Sequence, residues 1–363
     1  MIKLKYIITA GGTGGHIYPA LAIINKIKSE EKDAEFLYIG THNRMEKDII
    51  PEHNIKYKAL EIYGLSKTKW FRNIKNIFLV KKSIQKSIKV MKEFKPDVVI
   101  GCGGYVTYPV LKAAIKLKIK TFIHEQNSIP GKANIWLSKD VDTIGVSFKN
   151  SKDYFKKAKH VVYTGNPCGD NALSIPEITK ESLGFNKNKK LIIIVAGSLG
   201  SETFNAKFKS YLMLAGKEDY EFLYITGEKH YVDFVKNTIF PKNVKVVPYL
   251  ENLAGLIRNC DLIITRAGAS TLSEIIALKK PSIIIPSPYV ANNHQYYNAL
   301  DLVNLGVAEL IEEKNLSTEL IQISINEILG DKKKYNNYIN NLKKLTLKKS
   351  SDIIYDEIRK LIK

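Results

Sequence analysis

Short apolar runs recur along the chain at residues 5–9, 35–40, 97–101, 120–124 and 143–147, and again at 191–196, 221–226, 244–247, 262–265 and 282–286. Most are β-branched and solidly apolar rather than alternating, as a parallel strand covered on both faces requires. Between them lie longer stretches with apolar residues at helical spacing, such as 20–29 and 272–278. The strand–helix rhythm occurs twice and predicts an α/β chain with two doubly wound parallel sheets. Each half opens with a strand, a glycine-rich turn and a helix. The turns are Gly11-Gly12-Thr13-Gly14-Gly15 and Gly197-Ser198-Leu199-Gly200. Gly165-Asn166-Pro167 and the polar stretch after it separate the halves, which places domains at 1–164 and 165–345. From Asp331 the chain is rich in Lys and Asn. Ile339, Leu342 and Leu345, then Ile353, Ile354, Ile358 and Leu361, predict two surface helices, the second (346–363) able to pack back on the first domain. Folds of this kind bind ligands at the carboxyl ends of their strands.

Composition narrows this picture only a little. The chain has 363 residues, 45% of them hydrophobic, which suits two globular domains. A formal charge of +20 favours anionic partners without choosing among nucleic acid, anionic lipid and phosphorylated substrates. No nucleic-acid-binding motif accompanies it. Cys102, Cys168 and Cys260 are far apart and form neither a CxxC pair nor a metal-ligand spacing. No apolar stretch reaches the length of a membrane span. A cytosolic protein with peripheral membrane contact at most is expected.

The candidate chemistry sits in the turns. Four glycines in Thr9-Ala10-Gly11-Gly12-Thr13-Gly14-Gly15-His16 let backbone approach a ligand, and a helix N-terminus favours an anion. The dinucleotide fingerprint fails here. It would need glycine at Ile17, and the second strand ends Tyr38-Ile39-Gly40-Thr41 rather than in an acid. A ligand-free tight turn is the plain alternative. Gly101-Cys102-Gly103-Gly104-Tyr105 and His124-Glu125-Gln126-Asn127 follow two further buried strands. In the second half, Arg266-Ala267-Gly268-Ala269-Ser270-Thr271-Leu272-Ser273-Glu274 combines small residues at a helix start with a carboxylate able to accept from both hydroxyls of a ribose. The same carboxylate also reads as an ordinary helix-dipole partner. The amide-rich 292–298 segment suits sugar hydroxyls. Asp140-Val141-Asp142 matches the DxD string of metal-dependent transferases but precedes a strand and reads as a solvated turn, so no metal site is expected.

Taken in order, Gly11–His16, Gly101–Tyr105, His124–Asn127, Gly165–Pro167, 196–200, Arg266–Glu274 and 294–299 resemble the motif series of the MurG family of N-acetylglucosaminyltransferases, glycosyltransferase family 28. The resemblance spans nearly the whole chain. Three positions depart from it. Gly169 stands where an arginine is usual, Tyr108 where a glycine precedes proline, and the second glycine turn begins Ala196-Gly197 instead of Gly-Gly.

The resemblance implies a GT-B fold, two Rossmann-like parallel-sheet domains facing across a cleft. The implied reaction is inverting transfer from UDP-N-acetylglucosamine to the muramic acid 4-hydroxyl of undecaprenyl-diphosphate-muramyl-pentapeptide, with no further cofactor and no nucleic-acid partner. It puts Ser198, Leu250, Ala269, Ser270, Thr271, Leu272, Ser273, Glu274 and Gln295 around the UDP, Asn127 at the transferred sugar, and Thr13, Gly14 and Gly15 on the donor side. Gly103, Gly104, Tyr105, His124 and Glu125 fall on the acceptor side. His16 is the candidate general base, because imidazole titrates near neutrality. Its alternative role is to bind phosphate or acceptor without moving a proton. Since the acceptor is lipid-borne, the protein is expected at the cytoplasmic face of the membrane. Trp70, Ile74, Ile77, Phe78 and Lys81 share one helical face flanked by Lys67, Lys69, Arg72, Lys75 and Lys82, a pattern suited to anionic lipid. The same face also reads as packing on the sheet. Rival readings are a transferase with another lipid acceptor, a UDP-sugar epimerase and a nucleic-acid-binding protein.

Overall fold

The computed structural model describes residues 3–64, 70–197, 200–345 and 349–362, without the side chains of 70–72, 74 and 75. Its contacts divide the chain into two compact units, one of Met1–Cys168 with Leu347–Lys363 and the other of Gly169–Thr346.

The first unit carries β1 (Lys5–Thr9), β2 (Glu35–Thr41), β3 (Lys56–Leu60), β4 (Val98–Gly101), β5 (Lys120–Glu125), β6 (Thr143–Val146) and β7 (Val161–Tyr163). They form one sheet in the order β3-β2-β1-β4-β5-β6-β7, every pair parallel. The second unit carries β8 (Lys190–Val195), β9 (Tyr220–Ile225), β10 (Val244–Val247), β11 (Leu262–Thr265), β12 (Ser282–Ile284) and β13 (Ala308–Leu310), ordered β10-β9-β8-β11-β12-β13 and again wholly parallel. In each sheet the order reverses beside the opening strand, between β1 and β4 and between β8 and β11. That reversal is the switch point where doubly wound sheets gather ligands.

Strand alternation sorts the core into layers. Tyr6 and Ile8 face the helix Gly14–Glu30, whose Ile17, Ala20 and Ile24 are buried against them. Ile7 faces the opposite layer with Val99, Met91 and Val110. The C-terminal helix Ser350–Ile362 completes the first layer through the buried Ile354 and Ile358. Burial of each such isoleucine contributes about 1.5–3 kcal/mol. Arg359 pairs with Glu31 at 3.1 Å and fastens this helix further.

Three strands escape the run pattern: β3 and β13, which carry charge, and β7, apolar but only three residues long. All are sheet edges. In β3, Lys56 and Lys58 are exposed and the strand reads as alternating, and β7 and β13 are three residues each. An edge strand is covered less completely and tolerates charge, so it loses the pattern that marks a central one. The separating residues also fall later than Gly165. The Gly165 carbonyl is tied to His124 in β5, which keeps 165–167 with the first unit.

Candidate active site

In the first unit, the turns after β1 and β4 interlock across the switch point. Gly11 N donates to Gly103 O at 3.3 Å, and Cys102 N to Thr9 O at 2.9 Å. Gly103 and Gly104 have φ of +98° and +82°, and a Cβ on Gly104 would stand 2.2 Å from the Gly11 carbonyl. A side chain there is excluded by both conformation and space. A Cβ on Gly103 would lie 2.6 Å from Cδ2 of His16, so the imidazole rests directly on the glycine backbone. Thr13 Oγ1 lies 3.5 Å from His16 Nδ1. The helix Gly14–Glu30 begins without a side-chain cap from Thr13. Thr13 and Gly15 are exposed, Gly14 and His16 half-buried. The structure therefore brings together His16, Thr13 to Gly15, Gly103, Gly104 and Tyr105, whose hydroxyl accepts from Arg44 Nε at 3.4 Å.

His124 and Glu125 have a different place from the one expected on the acceptor side. Both are buried and their polar atoms are engaged internally. His124 Nε2 donates to Gly165 O at 2.9 Å, and Nδ1 accepts from the Gln126 amide at 3.0 Å. Burial lowers this histidine to about 4, so it is neutral at physiological pH. Burial raises the Glu125 carboxyl above its ordinary value, against the donors around it. Those donors are Asn127 N at 2.9 Å, Gly131 N at 3.0 Å and Asn134 Nδ2 at 2.8 Å. The pair fixes the turn that carries the half-buried Asn127, whose carbonyl accepts from Ser151 Oγ at 2.9 Å. Asp140 and Asp142 are likewise committed. Asp140 pairs with Lys112 at 2.6 Å, and Asp142 accepts from Thr121 N at 3.0 Å and Lys159 at 3.2 Å.

In the second unit, the turns after β8, β11 and β12 meet around Arg266. This buried guanidinium donates to Ser201 Oγ at 2.8 Å, to Ile285 O at 3.3 Å and to Pro286 O at 3.4 Å. It lies over the Phe204 ring at 4.9 Å and forms an ion pair with the buried Glu313. Asn298 Nδ2 donates to Ala267 O at 3.1 Å and holds the same turn from the other side. The helix Ala269–Ala277 starts at Gly268 without a side-chain cap, leaving its first N–H groups for an acceptor. Glu274, in the second turn, is half-buried and has no hydrogen-bond partner among the described residues. Desolvation raises its carboxyl to about 7. Gln295 Oε1 accepts from Ser287 N at 2.9 Å, leaving its amide nitrogen as the donor.

Leu272 is fully buried, so of the expected donor residues it offers no side chain to a ligand. Ala269 is buried; Ser270, Thr271, Ser273 and Leu250 are half-buried, and Ser273 Oγ donates back to Ser270 O at 2.6 Å. Ser198 and Lys69 lie outside the described residues, as do the side chains of Trp70, Arg72, Ile74 and Lys75. Gly169 packs on this helix so closely that a Cβ would stand 2.9 Å from the Ser273 carbonyl. Tyr108 stacks edge-on against Trp136 at 5.9 Å.

These motif turns sit at the switch points of two parallel sheets, and comparison with known proteins fits that architecture. Residues 6–146 match the glycosyltransferase family 28 N-terminal domain and residues 191–354 the family 28 C-terminal domain. The chain belongs to glycosyltransferase family 28. It is 40% identical to the UDP-N-acetylglucosamine–N-acetylmuramyl-(pentapeptide) pyrophosphoryl-undecaprenol N-acetylglucosamine transferase of Bacillus cytotoxicus, covering 99% of this chain and 100% of that one. The transferase 1 of that name from Bacillus cereus is similar to the same degree and extent. The crystal structure of MurG from Acinetobacter baumannii superposes with a TM-score of 0.80 at 25% identity, covering 98% and 99% of the two chains. The family and the GT-B architecture expected from the motif series are therefore established over the full length.

Two supporting groups of this family 28 chain escaped the motif reading. Glu46 follows β2 in a sequence that reads as an ordinary acidic helix start. Glu313 is 47 positions from its partner Arg266 (313 − 266) and carries no local signal. In the helix Trp70–Phe94, Ile77 and Phe78 are 56% and 67% exposed, while Leu79 and Met91 face the core. No described helix is long and apolar enough to cross a membrane.

Proposed function

We propose that the protein transfers N-acetylglucosamine from UDP-N-acetylglucosamine to the 4-hydroxyl of muramic acid on undecaprenyl-diphosphate-muramyl-pentapeptide, with inversion, as a step of peptidoglycan synthesis. The full-length 40% identity to transferases of that name carries this reading. The second-unit turns suit the donor. The uncapped helix start at Gly268 offers N–H groups to the diphosphate, and the unpartnered Glu274 carboxylate suits the ribose diol. Gln295 is assigned to the UDP and Asn127 to the transferred sugar. Thr13 to Gly15 serve the donor side, and Gly103 to Tyr105 take the reacting end of the acceptor.

In the reaction the acceptor oxygen bonds to the anomeric carbon as the carbon–oxygen bond to the diphosphate breaks. The hydroxyl proton passes to His16, and UDP leaves with the bonding pair, its charge stabilised by backbone N–H groups. No resident cofactor enters this scheme. Ile77 and Phe78 bring the protein to an anionic membrane surface, where the lipid acceptor resides. The test is transfer of radiolabelled sugar to a short-chain acceptor with UDP release followed in parallel. Acceptor-dependent transfer is expected. UDP release without transfer would point to another acceptor or to an epimerase, and absence of donor turnover would overturn the reading. For His16→Ala, a loss of kcat below about tenfold with donor affinity intact would remove the base assignment.

A further inference from the structure

The dinucleotide fingerprint ends its second strand in an acid that reaches out to a ribose. Here β2 ends in Gly40-Thr41, and the acid comes five residues later and turns inward. Glu46 is fully buried. Its Oε1 accepts from Thr41 N at 3.0 Å and Thr41 Oγ1 at 2.6 Å, and its Oε2 accepts from Gly12 N at 3.1 Å. One carboxylate thus joins the end of β2 to the turn that carries His16. The neighbouring glycines are shaped around it. A Cβ on Gly11 would lie 2.5 Å from Oε1, and one on Gly40 would lie 2.8 Å from Cγ. Tyr57 closes the outer side by donating to Thr41 O at 2.5 Å.

A buried carboxylate is tolerated only where donors surround it, and here the donors are backbone N–H and hydroxyl groups rather than a cation. Among the described residues Glu46 has no ion pair, so its attachment is to the geometry of the turn alone. We propose that Glu46 is a positioning residue for glycosyl transfer, fixing the Gly11–His16 turn through the Gly12 amide so that His16 is held against Gly103. The proposal rests on the reading of this turn as the acceptor-activating one.

Glu46→Gln preserves size. Its oxygen stays with the two Thr41 donors, and its NH2 group is left facing the Gly12 N–H, donor against donor. The expected result is a fall in kcat on the order of 100-fold, as for a misplaced reacting group. Donor KM should change less than kcat, because the UDP-facing residues belong to the other unit. Amide exchange at Gly12 should accelerate by about tenfold or more while the core strands remain protected. In a His16→Ala background the second substitution should cost less than about threefold, since both act through one turn. Turnover of Glu46→Gln within about threefold of the parent, or a fully multiplicative loss in the His16→Ala background, would overturn the proposal. Wild-type turnover in His16→Ala beside a loss in Glu46→Gln would instead remove His16 as base and keep Glu46 as the anchor of the turn. The exchange measurement reads that anchoring without any transferase activity.

Discussion

Each unit has a buried ionisable group behind the turns at its switch point, an acid in the first and a guanidinium in the second. In the first unit the Glu46 carboxylate takes up a backbone N–H of the turn, that of Gly12. In the second the Arg266 guanidinium takes up the Ile285 and Pro286 carbonyls and the Ser201 hydroxyl, with Glu313 balancing its charge. The N–H groups that the proposed reading gives to the donor diphosphate are those of the uncapped helix start at Gly268, next to Arg266, whereas in the first unit the turn N–H of Gly12 is taken up by Glu46. Two halves of similar topology thus diverge in chemistry through one buried group each.

The comparison breaks most readily at Arg266. Arg266→Met leaves Glu313 buried and unpaired, and a loss of about 3–5 kcal/mol is expected in chemical denaturation followed by a second-unit probe. Adding Glu313→Gln should recover part of it, and no recovery would show that the pair does not act as a unit. His124 sharpens the other side. Its value of about 4 in the folded chain lies below the ordinary 6.5. The unfolded chain therefore binds more protons between these values, so the contribution is complete above about pH 6.5 and falls away as pH drops towards 4. Stability should decline over that window by up to about 3 kcal/mol, and by visibly less in His124→Gln.

Glu274 gives a smaller effect, on ligand binding instead of stability. With its carboxyl raised to about 7, the ionised acceptor needed by a diol forms only as pH rises. UDP affinity, measured by calorimetry, should increase from pH 6 to 8 and level off. Glu274→Gln should flatten that profile and weaken binding at pH 8 by about tenfold or more. A parallel profile in the variant would exclude this carboxylate from the donor site. Least costly to the fold is the joint replacement Ile77→Ser and Phe78→Ser. Both residues are exposed, so stability should change by under about 1 kcal/mol, while partition onto anionic vesicles falls severalfold. Unchanged partition would remove these residues from the membrane-facing surface.

The sequence by itself determined the parallel sheets, because strands covered on both faces must be apolar throughout and most of the ten runs show this pattern. It also marked the turns. Gly103 and Gly104 require φ values that other residues avoid, and these glycines are visible as letters. Only the tertiary structure decided what holds those turns. Glu46, Arg266 with Glu313, and the inward-facing His124 and Glu125 act on residues remote in sequence or through orientation, and neither periodicity nor spacing records which way a carboxylate points. Edge strands stayed hidden for a related reason: with less of their surface covered, β3 and β13 keep Lys56, Lys58 and Glu309, and a charged edge looks like a loop until its neighbour is in place.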